Sequence, residues 1–525
     1  TLIGGLTGDA LTDADYNIAV GQKSLGADTL GSKSTALGYG TLQNQNFTTA
    51  TDSFNVAVGY EAGNDITTAR FNTLIGGLSG DALTDGQENV SVGYNSLGAE
   101  TEGHRSVAIG DGALASQNGV DGNVYNVAVG FEAGGAVTTG VQNTLVGGLA
   151  GDAITTGDQN VSMGMYSLSQ NTASNKNVGI GYAALSAFNV TTDTDTYNVA
   201  VGSGAGAALT TGIQNTLIGG LTGDAITDAD LNVALGYFSL TSNTLGSKSV
   251  AIGAESLASQ NYTTATDSHN VAVGYYAGRE ISTGVQNTII GSLAGDALTT
   301  PFGNTAVGYS SLGADTRGKG STAIGHKALE DQNTTTDSFV YNTAVGYSAG
   351  DHITTGTFNT IVGGLAGDAL TDADFNVVLG TQALTADTLG SKSVAIGHGT
   401  LNAQNFTTAT DTFNTAVGHA AGLSVTTGIL NTLVGGEAGD ALTEGGRNVA
   451  MGKGALSFDT LGSRSVALGQ SALSAQNFTT ATNSHNTAVG HAAGGAVTTG
   501  IQNTLIGGLA GVALTDADNN IAIGY

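Results

Sequence analysis

Asn342-Thr343-Ala344-Val345-Gly346 is one copy of a five-residue phrase that recurs about thirty times along this chain of 525 residues. Its closing glycine serves as a landmark. Successive landmarks are 17, 17, 17 and 21 residues apart, a block of 72 that repeats about seven times. A chain that winds similar coils on top of one another keeps such a spacing, because each coil must present the same edge to the next. The spacing predicts an all-β fold, a parallel β-solenoid of about thirty coils, as a single repetitive domain over residues 1–525.

The composition agrees with stacked coils and excludes several functions. Glycine is abundant at 83 residues and Pro301 is the only proline, as tight corners and an uninterrupted hydrogen-bond ladder require. The absence of cysteine excludes disulfides and thiolate metal sites. A formal net charge of −28 argues against a nucleic-acid partner, and no apolar run approaches the roughly 18 residues of a membrane span. Because the chain begins and ends within the repeat, we expect it to be a segment of a longer protein.

Positions are numbered here from the landmark glycine, and equivalent positions of successive coils form columns. Position −1 is aliphatic in every copy, which is typical of the interior of a narrow solenoid. Position −4 is Asn in 23 copies and Ser in six, so that stacked side chains can hydrogen-bond from coil to coil. We therefore expect the −1 aliphatic residues inside and the landmark glycines at the strand ends.

The −2 column is the basis for a predicted assembly. In a strand it must point opposite to −1, and yet it is mostly Ala or Leu rather than polar. A strand that is apolar on both faces indicates close contact with another chain, and we predict a homotrimer. The predicted interface residues are Ala57, Leu74, Leu145, Leu217, Leu433 and Leu505.

Two phrases resemble known repeat families. Ser249-Val250-Ala251-Ile252-Gly253 resembles the SVAIG phrase of the YadA-like head of trimeric autotransporter adhesins. Asn342-Thr343-Ala344-Val345-Gly346-Tyr347 is similar to the NTAVGY repeat of phage tail-fibre proteins. The resemblance covers nearly the whole chain, although each phrase is short. It implies a left-handed parallel β-roll, a trimer and a role in attachment; the longer coils and the lack of a stalk or chaperone segment depart from these families.

An acidic phrase is the one candidate metal site. Its spacing D-x-D-x-N is similar to the opening of a calcium loop, but the glycine and the distal glutamate of such loops are missing. The alternative is a solvated acidic corner without metal. The calcium candidates are Asp13, Asp15, Asp228, Asp230, Asp372 and Asp374.

Two further columns carry side chains that could act at a surface. Tyr or His often stands at +1, where aromatic rows could stack on the sugars of a host receptor or merely cover the joint between strand and turn. These candidates are Tyr60, Tyr275, Tyr347, His419 and His491. Basic residues such as Lys33 recur at −5, and we expect them to pair with acids of the preceding coil such as Asp15.

These patterns predict a non-enzymatic fibre with no catalytic residues and no cofactor other than calcium. It would present an attachment surface to a host glycan or protein receptor, in the extracellular space, on a virion tail fibre or a bacterial surface. The alternative is an extracellular filament or sheath protein that polymerises end to end. A carbohydrate-cleaving tailspike is a further alternative, but it would need paired carboxylates in one groove, whereas the acids here recur as repeated decoration.

Overall fold

The structure is a computed structural model that describes residues 1–119 and 121–525. In these ranges the chain consists of short β-strands joined by turns, as expected for an all-β solenoid. It divides into two compact units, residues 1–268 and 269–525, and each unit repeats the same coil. No helix in the described ranges has the length and apolar character that crossing a bilayer requires.

The strands are two or three residues long and recur once per coil, with extra two-residue strands beside the longest coil of most blocks. The first unit contains the strands Leu2–Ile3, Ile18–Val20, Gly31–Ser32, Thr35–Leu37, Thr51–Asp52, Val56–Val58, Thr73–Ile75, Val90–Val92, Gly103–His104, Val107–Ile109, Gly122–Asn123, Val127–Val129, Thr144–Val146, Val161–Met163, Ser174–Asn175, Val178–Ile180, Thr194–Asp195, Val199–Val201, Thr216–Ile218, Val233–Leu235, Gly246–Ser247, Val250–Ile252 and Thr266–Asp267. The second unit contains Val271–Val273, Thr288–Ile290, Thr305–Val307, Thr322–Ile324, Thr343–Val345, Thr360–Val362, Val377–Leu379, Gly390–Ser391, Val394–Ile396, Thr410–Asp411, Thr415–Val417, Thr432–Val434, Val449–Met451, Gly462–Ser463, Val466–Leu468, Thr482–Asn483, Thr487–Val489, Thr504–Ile506 and Ile521–Ile523.

Each three-residue strand pairs in parallel with the strands of the coils before and after it. Ala200 lies opposite Leu217, which lies opposite Ala234, so residues at the same position of successive coils stack in one column. Backbone hydrogen bonds between coils continue past the strands, as between Gly219 N and Val201 O at 2.7 Å. The predicted parallel β-solenoid is confirmed within each unit.

The landmark glycine is required where the strand turns out of the sheet. Gly202 has a φ of 141°, a conformation that residues with a side chain rarely adopt. A Cβ atom at this position would lie 2.2 Å from the carbonyl oxygen of Gly219 in the next coil. Every coil repeats this close approach of backbone to backbone, which explains why the landmark does not vary.

The Asn residues at −4 connect each coil to itself and to the next one. Asn215 is fully buried, and its Nδ2 donates to the carbonyl oxygen of Ala229, 14 residues further along the same coil, at 2.8 Å. Its Oδ1 accepts from the backbone N–H of Asn232 in the next coil at 3.1 Å. One amide side chain therefore closes its own coil and positions the next, as the stacking prediction anticipated.

The predicted orientation of the strand is wrong: the −2 column faces inside and the −1 column faces outside. Ala57 is fully buried, whereas its neighbours Val56 and Val58 are only half-buried. Leu379, also at −1, is 46% exposed. The reason is that side chains alternate along a strand, so positions −2 and −4 share a face, and the coil-closing Asn at −4 must lie inside.

Leucine at −2 is accommodated because glycine stands at +4 of its own coil and of the preceding coil. A Cβ atom on Gly206 would lie 2.8 Å from Leu217 Cδ1, and one on Gly223 would lie 3.0 Å from Leu217 Cδ2. In the middle coils of a block the sizes are reversed, with Ala251 at −2 and Leu257 at +4. This exchange of large and small side chains fills the narrow interior to the density that stable cores require.

We expect that Asn215→Ala destabilises the first unit strongly. The substitution leaves the buried carbonyl of Ala229 and the N–H of Asn232 without partners, at about 1–3 kcal/mol for each group. Urea unfolding followed by circular dichroism measures the loss. The exposed Asn44→Ala is the matched control and should change the free energy of unfolding by less than about 0.5 kcal/mol. Equal effects of the two variants would contradict the role given to the −4 column.

Candidate interaction surfaces

The six residues predicted to form the trimer interface lie in the core of the single chain. All of them are fully buried in the absence of any other chain, so they cannot contact a second copy. These residues are Ala57, Leu74, Leu145, Leu217, Leu433 and Leu505. The prediction of an interface at −2 is therefore wrong, for the same reason that the orientation was wrong. The observation that the strand is apolar on both faces still holds, and it now applies to the outward −3 and −1 columns.

The outward face of the sheet is formed by the −3 and −1 columns and carries no charge. Position −3 is Thr, Val or Ile in every coil, and position −1 is Val, Ile, Leu or Met. Several −1 side chains are well exposed, among them Ile75 at 40%, Leu235 at 42% and Met451 at 43%. In each unit this face is a continuous stripe of β-branched and aliphatic side chains. Sequence reasoning missed it, although the shared face of −4 and −2 was a signal that could have identified it.

The aromatic candidates at +1 are exposed, and three of them stack on a ring of a neighbouring coil. Tyr60 is 56% exposed, and its ring lies parallel to that of Tyr39 with centroids 5.5 Å apart. Tyr347 stacks on His326 at 5.2 Å, and His419 on His398 at 5.4 Å. Tyr275 stacks on Tyr276, and His491 is exposed as well. Each stacked ring has at least one face covered by its neighbour. This favours a role in covering the joint between strand and turn over a role in stacking on sugars.

The calcium candidates do not converge on one point. Asp230 Oδ1 accepts from the backbone N–H of Ile213 at 2.7 Å, and Asp374 Oδ1 accepts from the N–H and the hydroxyl of Thr357. Asp372 Oδ1 accepts from Thr355 Oγ1 at 2.6 Å. Asp228 is bound in the same way by a threonine of the preceding coil, and Asp13 and Asp15 lie beside an open groove. Among the described residues no group of three or more His, Cys, Asp or Glu side chains is placed to hold a metal ion.

The lysines at −5 pair with acids of the following coil and not with the predicted acids of the preceding one, whereas Arg105 pairs with an acid of the preceding coil, Glu88, at 2.8 Å. Lys33 Nζ lies 2.6 Å from Asp52 Oδ2 and 4.9 Å from the centroid of the Phe54 ring. The predicted partner Asp15 is replaced by Asp52. The same trio recurs as Lys176, Asp195 and Tyr197, and as Lys392, Asp411 and Phe413. Because these side chains are exposed, the pairs add little to stability and serve mainly to keep the register.

A buried carboxylate network supports most of the coils that have Ser in place of Asn at −4. Gln476 Nε2 donates to Ser465 Oγ at 2.8 Å and to Asp459 Oδ2 at 2.6 Å, and its Oε1 accepts from Asn486. The other oxygen of Asp459 accepts from the backbone N–H groups of Gly462 and Phe478. The glutamine thus links the serine at −4 to the asparagine at −4 of the following coil. Burial raises the pKa of Asp459 above its ordinary value, and it does the same at the equivalent Asp315.

Comparison with models of known protein families gave no match, and comparison with curated proteins gave no significant match.

Adjacent residues of one strand face opposite sides of the sheet, so substitutions at the two positions should reduce the free energy of unfolding by different amounts. Leu217→Ala leaves a cavity in the filled interior and should reduce the free energy of unfolding by about 2–5 kcal/mol. Ile218→Ala removes a half-buried side chain on the outer face and should cost less than about 1.5 kcal/mol. Chemical unfolding of both variants checks the orientation of the strand. A larger loss for Ile218→Ala than for Leu217→Ala would contradict it.

The buried carboxylates predict that acidification stabilises the second unit. The folded chain binds these protons more tightly than the unfolded chain, so the free energy of unfolding rises as the pH falls from neutral toward the folded pKa values of Asp315 and Asp459. The gain is complete below the unfolded value of about 3.9. We expect the thermal midpoint of the Asp315→Asn/Asp459→Asn variant to depend less on pH between 7 and 4 than that of the unmodified chain. Asp516→Asn, at an exposed position, should leave the dependence unchanged.

Proposed function

We propose that the chain is the repetitive shaft of an extracellular attachment fibre, on a phage tail or a cell surface, and that it acts without enzymatic activity. A parallel β-solenoid is the architecture of a fibrous structural repeat protein, because its stability accumulates from coil to coil. The recurring polar side chains serve the same purpose: Asp228 and Asp372 hydrogen-bond to the neighbouring coil. The two resemblances noted in the sequence support attachment as the task of the fibre.

The observation that carries this proposal is the charge-free outer face formed by the −3 and −1 columns. Its size is typical of an interaction surface. Each coil adds a strip that is about 4.8 Å high and about 10 Å wide, the width of two side chains. A dozen coils therefore expose about 600 Å², and single apolar patches of that size on soluble proteins mark sites of interaction.

The partner that fits this face best is a second and third copy of the same chain. Copies that each carry a net charge of −28 repel one another unless they meet where no charge lies, and both columns lack Asp, Glu, Lys and Arg. A copy also has the same spacing between coils, so the side-chain rows match over many coils and not only at one point. We therefore propose a homotrimer in which the −1 aliphatic residues meet, in place of the −2 residues first predicted.

Charges placed on this face should prevent assembly. We expect the unmodified chain to be a trimer in mass photometry and the Ile290→Lys/Ile324→Lys/Leu379→Lys variant to be a monomer, because three ammonium groups would lose their water in the contact. The control Thr335→Lys/Thr408→Lys/Thr480→Lys adds the same charge at exposed loop positions and should remain a trimer. A monomeric unmodified chain, or equal behaviour of the two variants, would contradict the proposal.

A further inference from the structure

The repeat departs from its pattern over three successive coils of the second unit. Pro301 and Phe302 stand where the matching coil of the next block has Ala373 and Asp374. In the following coil Lys319 replaces the small residue found at Ser391. In the third coil Phe339 replaces the carboxylate of Asp411, and an aspartate, Asp337, stands two residues earlier. A fibre that only needs length has no reason to change these five positions together.

The substituted residues meet in one groove of about 440 Å³ on the surface. The rings of Phe302 and Phe339 lie perpendicular to each other with centroids 6.3 Å apart, and they are 40% and 49% exposed. An isolated bridge ties each aromatic wall to the coil before it, Phe302 to Val285 and Phe339 to Lys319. The groove is therefore built into the hydrogen-bond ladder and does not depend on a free loop.

One polar cluster lies between the aromatic walls. Asp337 Oδ1 accepts from the hydroxyl of Thr300 at 3.0 Å, a contact between residues 37 positions apart. Asp337 Oδ2 lies 3.4 Å from Lys319 Nζ. Carboxylate and ammonium balance each other, and the pKa of Asp337 is held below its ordinary value by the Thr300 hydroxyl and by Lys319. The groove thus offers charged hydrogen-bonding groups without a net charge that would attract an ion.

We propose that this groove binds a neutral sugar residue of a receptor glycan. A pyranose has apolar C–H faces that pack on aromatic rings, and hydroxyl groups that can donate to Asp337 and accept from Lys319. A charged sugar would leave one of the two paired groups opposed by a like charge. The inference rests on the proposed attachment function and assigns its contact site to Phe302 and Phe339 rather than to the stacked rings at +1.

A comparable groove in the first unit shows what the changed residues accomplish. It is lined by Asp13, Asp15 and Asp52 beside Phe54 and Phe71. The rings there stack on each other at 5.7 Å, and Lys33 and Arg70 lie against them. Intramolecular partners therefore already cover these aromatic faces, and carboxylates dominate the rim. In the second-unit groove one face of Phe339 stacks on Tyr341 at 5.2 Å, whereas Phe302 meets Phe339 only edge-on, so that Phe302 offers the freer ring face. Phe54 is accordingly the matched control for Phe302.

The test is binding of the full chain to an array of neutral and acidic oligosaccharides, followed by saturation-transfer NMR with free glucose, galactose and N-acetylglucosamine. We expect binding to neutral glycans that weakens at least tenfold in Phe302→Ala and in Phe339→Ala but not in Phe54→Ala. Mass photometry must show the same assembly for all variants, so that loss of binding is separated from failure of the proposed trimer.

Three results would overturn this inference. The first is absence of binding to any neutral glycan by a chain that assembles normally, which leaves the fibre proposal intact. The second is equal binding by the Phe302→Ala, Phe339→Ala and unmodified chains. The third is attachment to cells that persists after enzymatic removal of their glycans and is lost in Phe302→Ala, which would indicate a protein receptor in the same groove.

Discussion

The hydrogen bonds of the −4 asparagines are the interaction on which the rest of the structure depends. In a coil of 17 residues, the chain must return to its starting point one strand spacing higher, and a single buried amide links the two ends. Asn72 does this by donating to Gly86 O at 2.9 Å while its Oδ1 receives the N–H of Asn89 in the next coil. An unsatisfied buried polar group is costly, so each coil can form its hydrogen bonds only beside neighbours that have the same geometry. This requirement keeps the spacing of the repeat constant.

This requirement also decides which side of the strand meets water. The amide at −4 must be inside, the side chain at −2 follows it, and the −3 and −1 side chains are left outside. The acids that give the chain its charge of −28 lie outside the three-residue strands, away from the sheet face. In each unit the surface therefore repels molecules of the same charge except along the apolar stripe. The proposed self-association uses the stripe that this geometry leaves on the outside.

The sequence alone predicted the solenoid but not its orientation. The regular spacing of the landmarks, with one short strand phrase in every step, was sufficient for the fold, since stacked coils must each present the same edge to the next. The orientation could not be read from hydrophobicity, because Ala57 inside and Val58 outside are both apolar. Contacts between distant positions also escaped prediction. Gln45 fills the place of an asparagine beside Ser34 and binds Asp28, and nothing in its own phrase indicates this role. In the sequence, the residues around Phe302 stand out only as a departure from the repeat. The stacking of three coils in the structure is what brings them into one groove.

The most direct test of the account is cysteine labelling, since the chain has no cysteine of its own. Ser162 is buried at −2 and Met163 is 39% exposed at −1 of the same strand. The rate of maleimide addition should be measured for Ser162→Cys and Met163→Cys, in dispersed and in assembled protein. The account predicts that Ser162→Cys reacts only after unfolding, whereas Met163→Cys reacts rapidly when dispersed and becomes protected on assembly. Rapid labelling of folded Ser162→Cys, or unchanged labelling of Met163→Cys on assembly, would contradict it.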